Sequence, residues 1–421
     1  VVWLLPLVLA ALDDLMRQGR HWGFTVLVFL CILLNFYIAW PVCLFSILYF
    51  LCLWPSQGQG RFGRRFAAFA ASGVLAAGLS FFFLLPVLLE VQESKGGLFD
   101  FTFSLTPQFN LLQLPYRLFF GNFFWNDVTN GLPNIYCGVA VLMFFLLYLC
   151  CAKVSVREKA VYCGLILFFF ASFSVNVLNF VWHGFHYPNS LPCRQSFIYI
   201  FLMLFVCFRA FMYLRTTPWK HIALAFWGSV CFVLLAQKLV TQEHFHFAVY
   251  YGAILLLSAY AGILYLYKNR KRGLAVFLAL GLVSIEAAVN TTITSVTTTS
   301  REAYTRDNEE VRLLMETLEP ASDFYRVEKK SRKTRNDGAW MNFPSVSLFS
   351  STANADLTAF FKRMGCEAST NAYSIKGSTP LVDSLASVKY ALYSEPAGKR
   401  RNLSLPESVH SAVGLPASRG N

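Results

Sequence analysis

The fold of this chain is decided by the stretch Trp22-GFTVLVFLCILLNFYIAWPVCLFSILYFLCL-Trp54, which contains no charged residue. About 20 apolar residues cross a bilayer, whereas a straight helix of this length would measure about 50 Å at 1.5 Å per residue. Basic residues flank the stretch on both sides, so the positive-inside rule requires an even number of crossings. We therefore predict a membrane protein in which two half-length segments fold back near Asn35–Pro41.

The predicted break has a consequence for two polar residues within it. Irregular backbone at membrane depth is tolerated where it is buried in protein or lines a cavity. We therefore expect Asn35 and Tyr37 to face an internal cavity and to contribute to substrate binding. The alternative is one long, tilted helix in which Asn35 is merely shielded from lipid.

The composition supports membrane insertion of the first part of the chain. Hydrophobic residues make up 56% and charged residues 14%, and the mean hydropathy is +0.49, far from the roughly one quarter of charged residues in soluble domains. Residues 1–290 carry nineteen Lys and Arg against nine acidic residues, and residues 291–421 carry seventeen against fourteen. Because the basic residues of the first part cluster between apolar runs, we attribute them to membrane topology and expect no nucleic-acid partner.

Length and charge together predict a polytopic helical bundle over residues 1–290. Its basic loops are assigned to the cytoplasm, and loops 91–131 and 181–193 to the outer side together with residues 291–394. The bundle is predicted to be multi-pass. The candidate spans are Val1–Leu12, the broken stretch Trp22–Trp54, Phe66–Leu89, Leu132–Cys151, Ala160–Phe180, Gln195–Leu214, His221–Val240, Phe245–Tyr267 and Leu274–Val289.

A polar and aromatic segment separates two of these spans, Asn179-FVWHGFHYPNSLPC-Arg194. Polar side chains near membrane depth are costly and by default mark a functional site. An interfacial loop anchored by its aromatic residues is the alternative. Anchoring does not account for the histidines, the amide and the arginine together, so we predict a substrate-binding site. Its candidate residues are Trp182, His183, His186, Tyr187, Asn189 and Arg194.

The long outer loop 91–131 contains two further carboxylates, Asp100 and Asp127. Either could act in acid–base chemistry, although the Asn126-Asp-Val-Thr-Asn-Gly131 context also fits a plain turn. The chain has eleven cysteines but no CxxC pair, and most of them lie inside apolar runs, where cysteine behaves as a small hydrophobe. The sequence therefore predicts no cofactor and no metal ligand set, and it leaves a divalent ion open.

Beyond residue 290 the pattern changes to that of a soluble domain. Apolar residues at helical spacing predict a helix over Glu302–Leu318, and a second helix is expected over Asp356–Met364. Short alternating runs at Phe324–Glu328 and Val388–Tyr393 predict strands. We expect a small extracytoplasmic α/β domain over residues 291–394, followed by a disordered tail at 395–421 that is rich in Pro, Ser, Gly and Arg.

Several motifs resemble the YfhO family of bacterial multi-pass membrane proteins. The similarity runs from about Val1 to Tyr393, and the Trp182–Arg194 segment is its most specific part. The other motifs are Asn35-Phe-Tyr37-Ile, Leu85-Pro86, Leu132-Pro-Asn-Ile-Tyr-Cys-Gly138, Phe324-Tyr-Arg326-Val, Asn336-Asp337, Ser347-Leu-Phe-Ser-Ser351 and Val388-Lys-Tyr390.

The resemblance implies a GT-C-like glycosyltransferase. Such an enzyme takes sugar from a polyprenyl-phosphate carrier at the outer face and transfers it to a cell-surface glycopolymer such as lipoteichoic acid. In such enzymes an acidic residue of the first outer loop acts as base or metal contact. We expect that residue to precede Val1, and Asp127 and Asp100 are the fallback candidates for its role. We therefore expect residues 1–421 alone to be inactive.

The residues themselves support the same hypothesis and leave two alternatives. A lipid-phosphate donor needs a cation such as Arg194 for its phosphate, polar groups for its sugar, and contact with membrane lipid for its tail. A lipid or polysaccharide transporter or flippase would instead need ionisable residues spread through the bilayer, and this sequence has few. A non-catalytic cell-envelope scaffold is the third possibility.

Overall fold

The computed structural model describes residues 1–93, 109–110, 114–119, 121, 132–185, 192–239, 247–269, 271–295, 300–318 and 324–393. The predicted tail 395–421 and most of the outer loop 91–131 lie outside the described residues. Contacts divide the chain into two compact units. The first comprises Val1–Leu84 and Asp100–Thr298, and the second comprises Leu85–Phe99 and Thr299–Asn421.

The first unit is helical, so the prediction of a mostly α-helical chain is confirmed. Its interior is lined by apolar side chains from nearly every helix, among them Phe45, Phe169 and Leu257. The helices are α1 (Leu5–Gln18), α2 (Trp22–Leu34), α3 (Phe36–Gln57), α4 (Phe62–Leu79), α5 (Phe81–Glu93, which continues into the second unit), α6 (Ala140–Cys150), α7 (Val156–Ser174), α8 (Asn176–Trp182), α9 (Ser196–Met212), α10 (Trp219–Leu239), α11 (Phe247–Lys268) and α12 (Arg272–Ser295).

The break predicted within Trp22–Trp54 occurs at Asn35, and the alternative of one long helix is wrong. Asn35 has extended backbone, and its Oδ1 accepts a hydrogen bond of 3.0 Å from the Ile38 N–H. The side chain thereby caps the N-terminus of α3, as asparagine commonly does. The two segments are unequal, however. α2 has 13 residues, whereas α3 has 22 and is long enough to span a bilayer by itself.

Among the described residues, four helices are long and apolar enough to cross a membrane, namely α3, α10, α11 and α12. A fifth span results if α4 and α5 are counted as one, although they are bent by 74° at the break between them. Fewer helices of the described residues therefore have the length and composition of a span than the nine stretches predicted from the sequence. Irregular backbone at Asn35 and at residues 132–138 leaves the shorter apolar helices α2 and α6. The unbroken helix α9 has 17 residues and also belongs to this shorter class.

The stretch Leu132–Cys151 illustrates why an apolar run need not be one span. Residues 132–138 have no regular secondary structure, and helix begins only at Ala140. Gly138 has a φ of +99°, which a side chain would strain. Ile135 and Val139 are fully buried in the core of the unit, so this irregular segment is enclosed by protein.

The second unit combines short helices with short strands. β1 (Arg326–Lys329) pairs in parallel with β5 (Val388–Leu392), with Val327 opposite Tyr390. The strands β2 (Leu348–Phe349), β3 (Ala368–Ser369) and β4 (Ala372–Tyr373) form an antiparallel sheet in the order β2-β4-β3. The helices are α13 (Arg301–Thr305), α14 (Asn308–Thr317), α15 (Asp337–Met341), α16 (Ala355–Arg363) and α17 (Pro380–Leu385).

Individual elements of this unit follow the sequence pattern with one interruption. The strand and helix positions predicted near residues 324, 356 and 388 correspond to β1, α16 and β5. The helix predicted over Glu302–Leu318 is divided into α13 and α14 instead. Asp307, which lies between them, has a φ of +66°, a left-handed conformation that no α-helix can contain.

Candidate functional site

His183 is positioned by the way in which helix α8 ends. Gly184 has a φ of +74°, the Phe185 N–H donates to the Phe180 carbonyl at 3.0 Å, and the Gly184 N–H donates to the Val181 carbonyl at 3.3 Å. This pair of bonds is a Schellman motif, and the accompanying apolar contact joins Phe180 to Phe185. The glycine is required because the position is left-handed. The motif fixes His183 as the C-cap residue of α8.

Three of the predicted site residues come together at this point. The Arg194 guanidinium lies over the Tyr37 ring, with Cζ 4.7 Å from the ring centroid. The rings of Tyr37 and His183 have their centroids 6.3 Å apart. Tyr37 is in the first turn of α3, and Arg194 directly precedes α9. Tyr37 lies 146 positions before His183 and 157 positions before Arg194 in the sequence, and the fold brings the three together in one cluster, which we call the Arg194 site.

The protonation pattern of His183 follows from its partner. The ring is 2% exposed, and Nδ1 lies 2.7 Å from the Asn179 carbonyl oxygen. A carbonyl oxygen only accepts hydrogen bonds, so Nδ1 carries the proton. In the neutral ring Nε2 is then an acceptor. His183 is thus oriented by its own helix, as binding and catalytic histidines commonly are by a second group.

Trp182 has a different role from the one predicted. Its ring is 4% exposed and packs on Phe169 at a centroid distance of 5.0 Å. Adjacent residues of a helix point in different directions, and here His183 lies in the Arg194 site while Trp182 enters the apolar core. Trp182 therefore cannot stack on a pyranose without leaving that core. Another tryptophan, Trp40, connects α3 to α8, because its Nε1 donates a hydrogen bond of 2.8 Å to the Val181 carbonyl.

Asn35 also differs from its prediction. Its side chain is exposed and caps the N-terminus of α3, so it does not line an enclosed cavity. Its contribution to the Arg194 site is indirect, because the cap fixes where α3 begins and hence where Tyr37 lies. The predicted candidates His186, Tyr187 and Asn189 lie outside the described residues, as do Asp100, Asp127 and the histidines at 244 and 246.

Two buried amides near the site were not singled out by the sequence. Asn179 is 1% exposed and Gln195 is 0% exposed. Neither Asn179 Oδ1 nor the two polar side-chain atoms of Gln195 have a hydrogen-bond partner in the part of the chain that the structure describes. An unsatisfied buried polar group costs about 1–3 kcal/mol. The sequence offered one signal for these two amides, since Asn179 lies one helical turn before His183 and Gln195 directly follows Arg194. Buried polar groups without a partner require a ligand or an internal water.

A second polar cluster surrounds Glu286 in α12, which is 5% exposed. Its Oε1 accepts from the Tyr136 hydroxyl and from the Val139 N–H at 2.7 Å, and its Oε2 accepts from the Tyr260 hydroxyl at 2.5 Å. One turn further along α12, Asn290 Oδ1 accepts from the Gly121 N–H at 2.8 Å. The carboxylate lies at the N-terminus of α6, where the helix dipole favours negative charge. Both oxygens accept hydrogen bonds from the protein, so this cluster joins residues 136–139 and α11 to α12.

Within the described ranges, no group of three or more His, Cys, Asp or Glu side chains is placed to hold a metal ion. A guanidinium, an oriented imidazole and two amides offer hydrogen bonds to oxygen atoms of a ligand.

The chain matches a known protein family over almost its whole length. The family described as bacterial membrane protein YfhO matches residues 1–412. No curated protein and no solved structure matches the chain.

Proposed function

This chain belongs to the YfhO family of bacterial membrane proteins, and we propose that it is a membrane glycosyltransferase. It moves a sugar from a polyprenyl-phosphate carrier to a cell-surface glycopolymer, such as lipoteichoic acid, at the outer face of the bacterial plasma membrane. The observation that carries the proposal is the placement of the Arg194 guanidinium on the Tyr37 ring, beside the buried ring of His183.

Arg194 supplies the phosphate contact. Its planar guanidinium carries donors that match two phosphate oxygens, which makes arginine well suited to phosphate recognition. Stacking on Tyr37 orders the side chain before the ligand arrives, so less conformational entropy is lost on binding. The flanking helices α3 and α9 are strongly apolar, as a groove for a polyprenyl tail requires.

The sugar is recognised by the neighbouring polar groups. The side-chain amides of Asn179 and Gln195 contain acceptors and donors that complement hydroxyl groups. Their burial makes them selective, since a site built for hydrogen bonds rejects a ligand that leaves its groups unpaired. In this proposal the donor sugar supplies the missing partners of both amides, and His183 orients the phosphate or a hydroxyl group.

Glu286 is not assigned as the base that activates the acceptor. A general base needs hydrogen-bond reach to the proton that it removes, whereas the oxygens of Glu286 already accept from Tyr136, Val139 and Tyr260. Asp127 and Asp100, in the outer loop, remain the acidic candidates of this chain. The second unit is proposed to lie on the same outer side as that loop.

The test is complementation of a strain that lacks the gene, with the sugar content of the glycopolymer as the readout. Arg194→Ala in the full chain should abolish sugar addition at normal membrane abundance, and Arg194→Lys should restore only part of it, because lysine lacks the planar fork. Arg215→Ala is the matched control, since Arg215 is an exposed arginine beyond the other end of α9.

Normal sugar content in the Arg194→Ala strain would overturn the proposal. Movement of labelled lipid across vesicles by the purified chain, without sugar transfer, would favour the transporter or flippase alternative. A strain that keeps its glycopolymer sugar without the gene would favour a scaffold.

A further inference from the structure

The second unit contains a cavity of about 610 Å³. It is lined by residues of α13, α15, β2 and the segment before α15. This volume lies within the range of about 300–1,000 Å³ that is typical of small-molecule sites. The lining residues are Tyr304, Thr334, Arg335, Asn336, Ala339, Trp340 and Phe349.

Three aromatic side chains form the apolar wall of this cavity. Tyr304, Trp340 and Phe349 are exposed by 44%, 48% and 47%, although ring side chains in a soluble unit usually bury more of their surface. The Tyr304 and Trp340 rings lie 4.7 Å apart with a tilt of 56°. They therefore form an angled wall, which does not suit the insertion of a flat aromatic base between parallel faces.

The framework that holds these rings is rigid. The Asn336 amide donates to the Phe349 carbonyl at 2.9 Å and accepts from the Phe349 N–H at 2.7 Å. Asp337 accepts from the Thr334 N–H at 2.7 Å and from the Thr334 hydroxyl at 2.8 Å. Trp340 Nε1 donates to Asn308 Oδ1 at 3.2 Å. The Asn336 amide and the Trp340 indole N–H are thus bonded within the unit, whereas the three aromatic side chains remain about half exposed.

Arg335 is the polar group that is available to a ligand. Its Nη2 donates to Glu367 at 2.9 Å, and a guanidinium has further N–H groups that can donate. Glu367 also pairs with Arg332, and these two arginines lower the pKa of its carboxyl to about 2. The N–H groups of Arg335 that Glu367 does not engage therefore suit a ligand with oxygen acceptors.

We propose that this cavity binds a hexopyranose unit of a glycan, with one face of the sugar on Trp340 and a ring hydroxyl accepting from Arg335. The axial C–H groups of a pyranose carry slight positive charge and suit the negative face of an aromatic ring. The puckered ring fits an angled wall, and its hydroxyl groups complement the donors of Arg335. This site is independent of the Arg194 site.

The test is saturation-transfer NMR on the full chain in lipid nanodiscs. The probes are the methyl β-glycosides of glucose, galactose and N-acetylglucosamine. At least one of them should bind, and Trp340→Ala should weaken that binding at least tenfold. Trp340→Phe should retain most of it because the ring is kept. Phe324→Ala is the control, since Phe324 is a 70% exposed aromatic residue of the same unit outside the cavity lining.

Absence of binding by all three glycosides would overturn the proposal, as would equal binding by wild type and Trp340→Ala. A further measurement separates a bilayer contact from a glycan site. If brominated lipid quenches the fluorescence that is lost in Trp340→Phe, the aromatic wall belongs at the membrane surface and the glycan proposal is wrong.

Discussion

Two groups of buried polar side chains lie in the helical unit, and they differ in how completely the fold satisfies them. Around Glu286 both carboxylate oxygens accept hydrogen bonds, and the three donors come from two segments, residues 136–139 and α11. Beside the Arg194 site, Asn179 Oδ1 and the Gln195 amide have no partner in the described part of the chain. A satisfied cluster stabilises the fold, whereas polar groups that are left without partners favour a ligand. By this criterion Glu286 has a structural role, whereas the Arg194 site is a candidate for ligand binding.

The largest effect on stability is expected at Glu286. Glu286→Ala leaves the hydroxyls of Tyr136 and Tyr260 and the Val139 N–H without their acceptor. At about 1–3 kcal/mol for each buried donor that is left unsatisfied, the three donors together should cost about 3–9 kcal/mol. The thermal unfolding midpoint of the purified chain measures it. Thr292→Ala, an exposed change on the same helix, is the control. An unchanged midpoint in Glu286→Ala would show that the cluster is not structural.

The next effect concerns Trp182, where sequence and structure differ. Trp182→Ala should destabilise the helical unit by about 3–5 kcal/mol, the usual cost of removing a large buried aromatic ring. Trp182→Phe should restore most of that stability and keep sugar transfer. The midpoint and the product level of each variant are the measurements. Loss of sugar transfer in a fully stable Trp182→Phe variant would show that Trp182 takes part in substrate binding.

Tyr37 should affect ligand binding more than stability. Tyr37→Ala removes the ring under Arg194, and a partly desolvated cation–π contact contributes about 0.5–2 kcal/mol. The apparent KM for the lipid-phosphate donor should therefore rise by about 2- to 30-fold, since about 1.4 kcal/mol corresponds to a factor of ten. Tyr37→Phe keeps the ring face and should change KM less. Equal effects of both substitutions would assign the role to the hydroxyl group instead.

The sequence predicted the position of the helix break but not the role of every residue around it. The length of the uncharged run and the basic residues on both sides of it predicted the break, and the fold brings together three of the predicted site residues, Tyr37, His183 and Arg194. The burial of Trp182 depends on the direction in which a seven-residue helix points, which sequence spacing does not determine. The partners of Glu286 come from residues 136, 139 and 260, and such long-range contacts leave no local pattern.

The smallest effect is expected in the second unit, at Glu367. The Arg335 and Arg332 side chains lower the pKa of this carboxyl to about 2, from its ordinary value near 4.5. A lowered folded pKa stabilises the folded state above pH 4.5, and this contribution is lost as the pH falls from about 4.5 to 2. Glu367→Gln should flatten the midpoint-versus-pH curve in that window. Glu302→Gln, which replaces an exposed acid of α13, should leave the curve unchanged. Identical curves for wild type and Glu367→Gln would contradict the assignment.

The central claim is that the Arg194 site recognises a lipid phosphate, and its most direct test is a binding measurement on the purified chain. Farnesyl phosphate serves as the probe, and farnesol is the control that lacks the phosphate. The account predicts that wild type and Arg215→Ala bind farnesyl phosphate at least tenfold more tightly than farnesol. It also predicts that Arg194→Ala loses this preference while keeping its unfolding midpoint. Equal Kd values of wild type for the two probes, or an unchanged preference in Arg194→Ala, would contradict it.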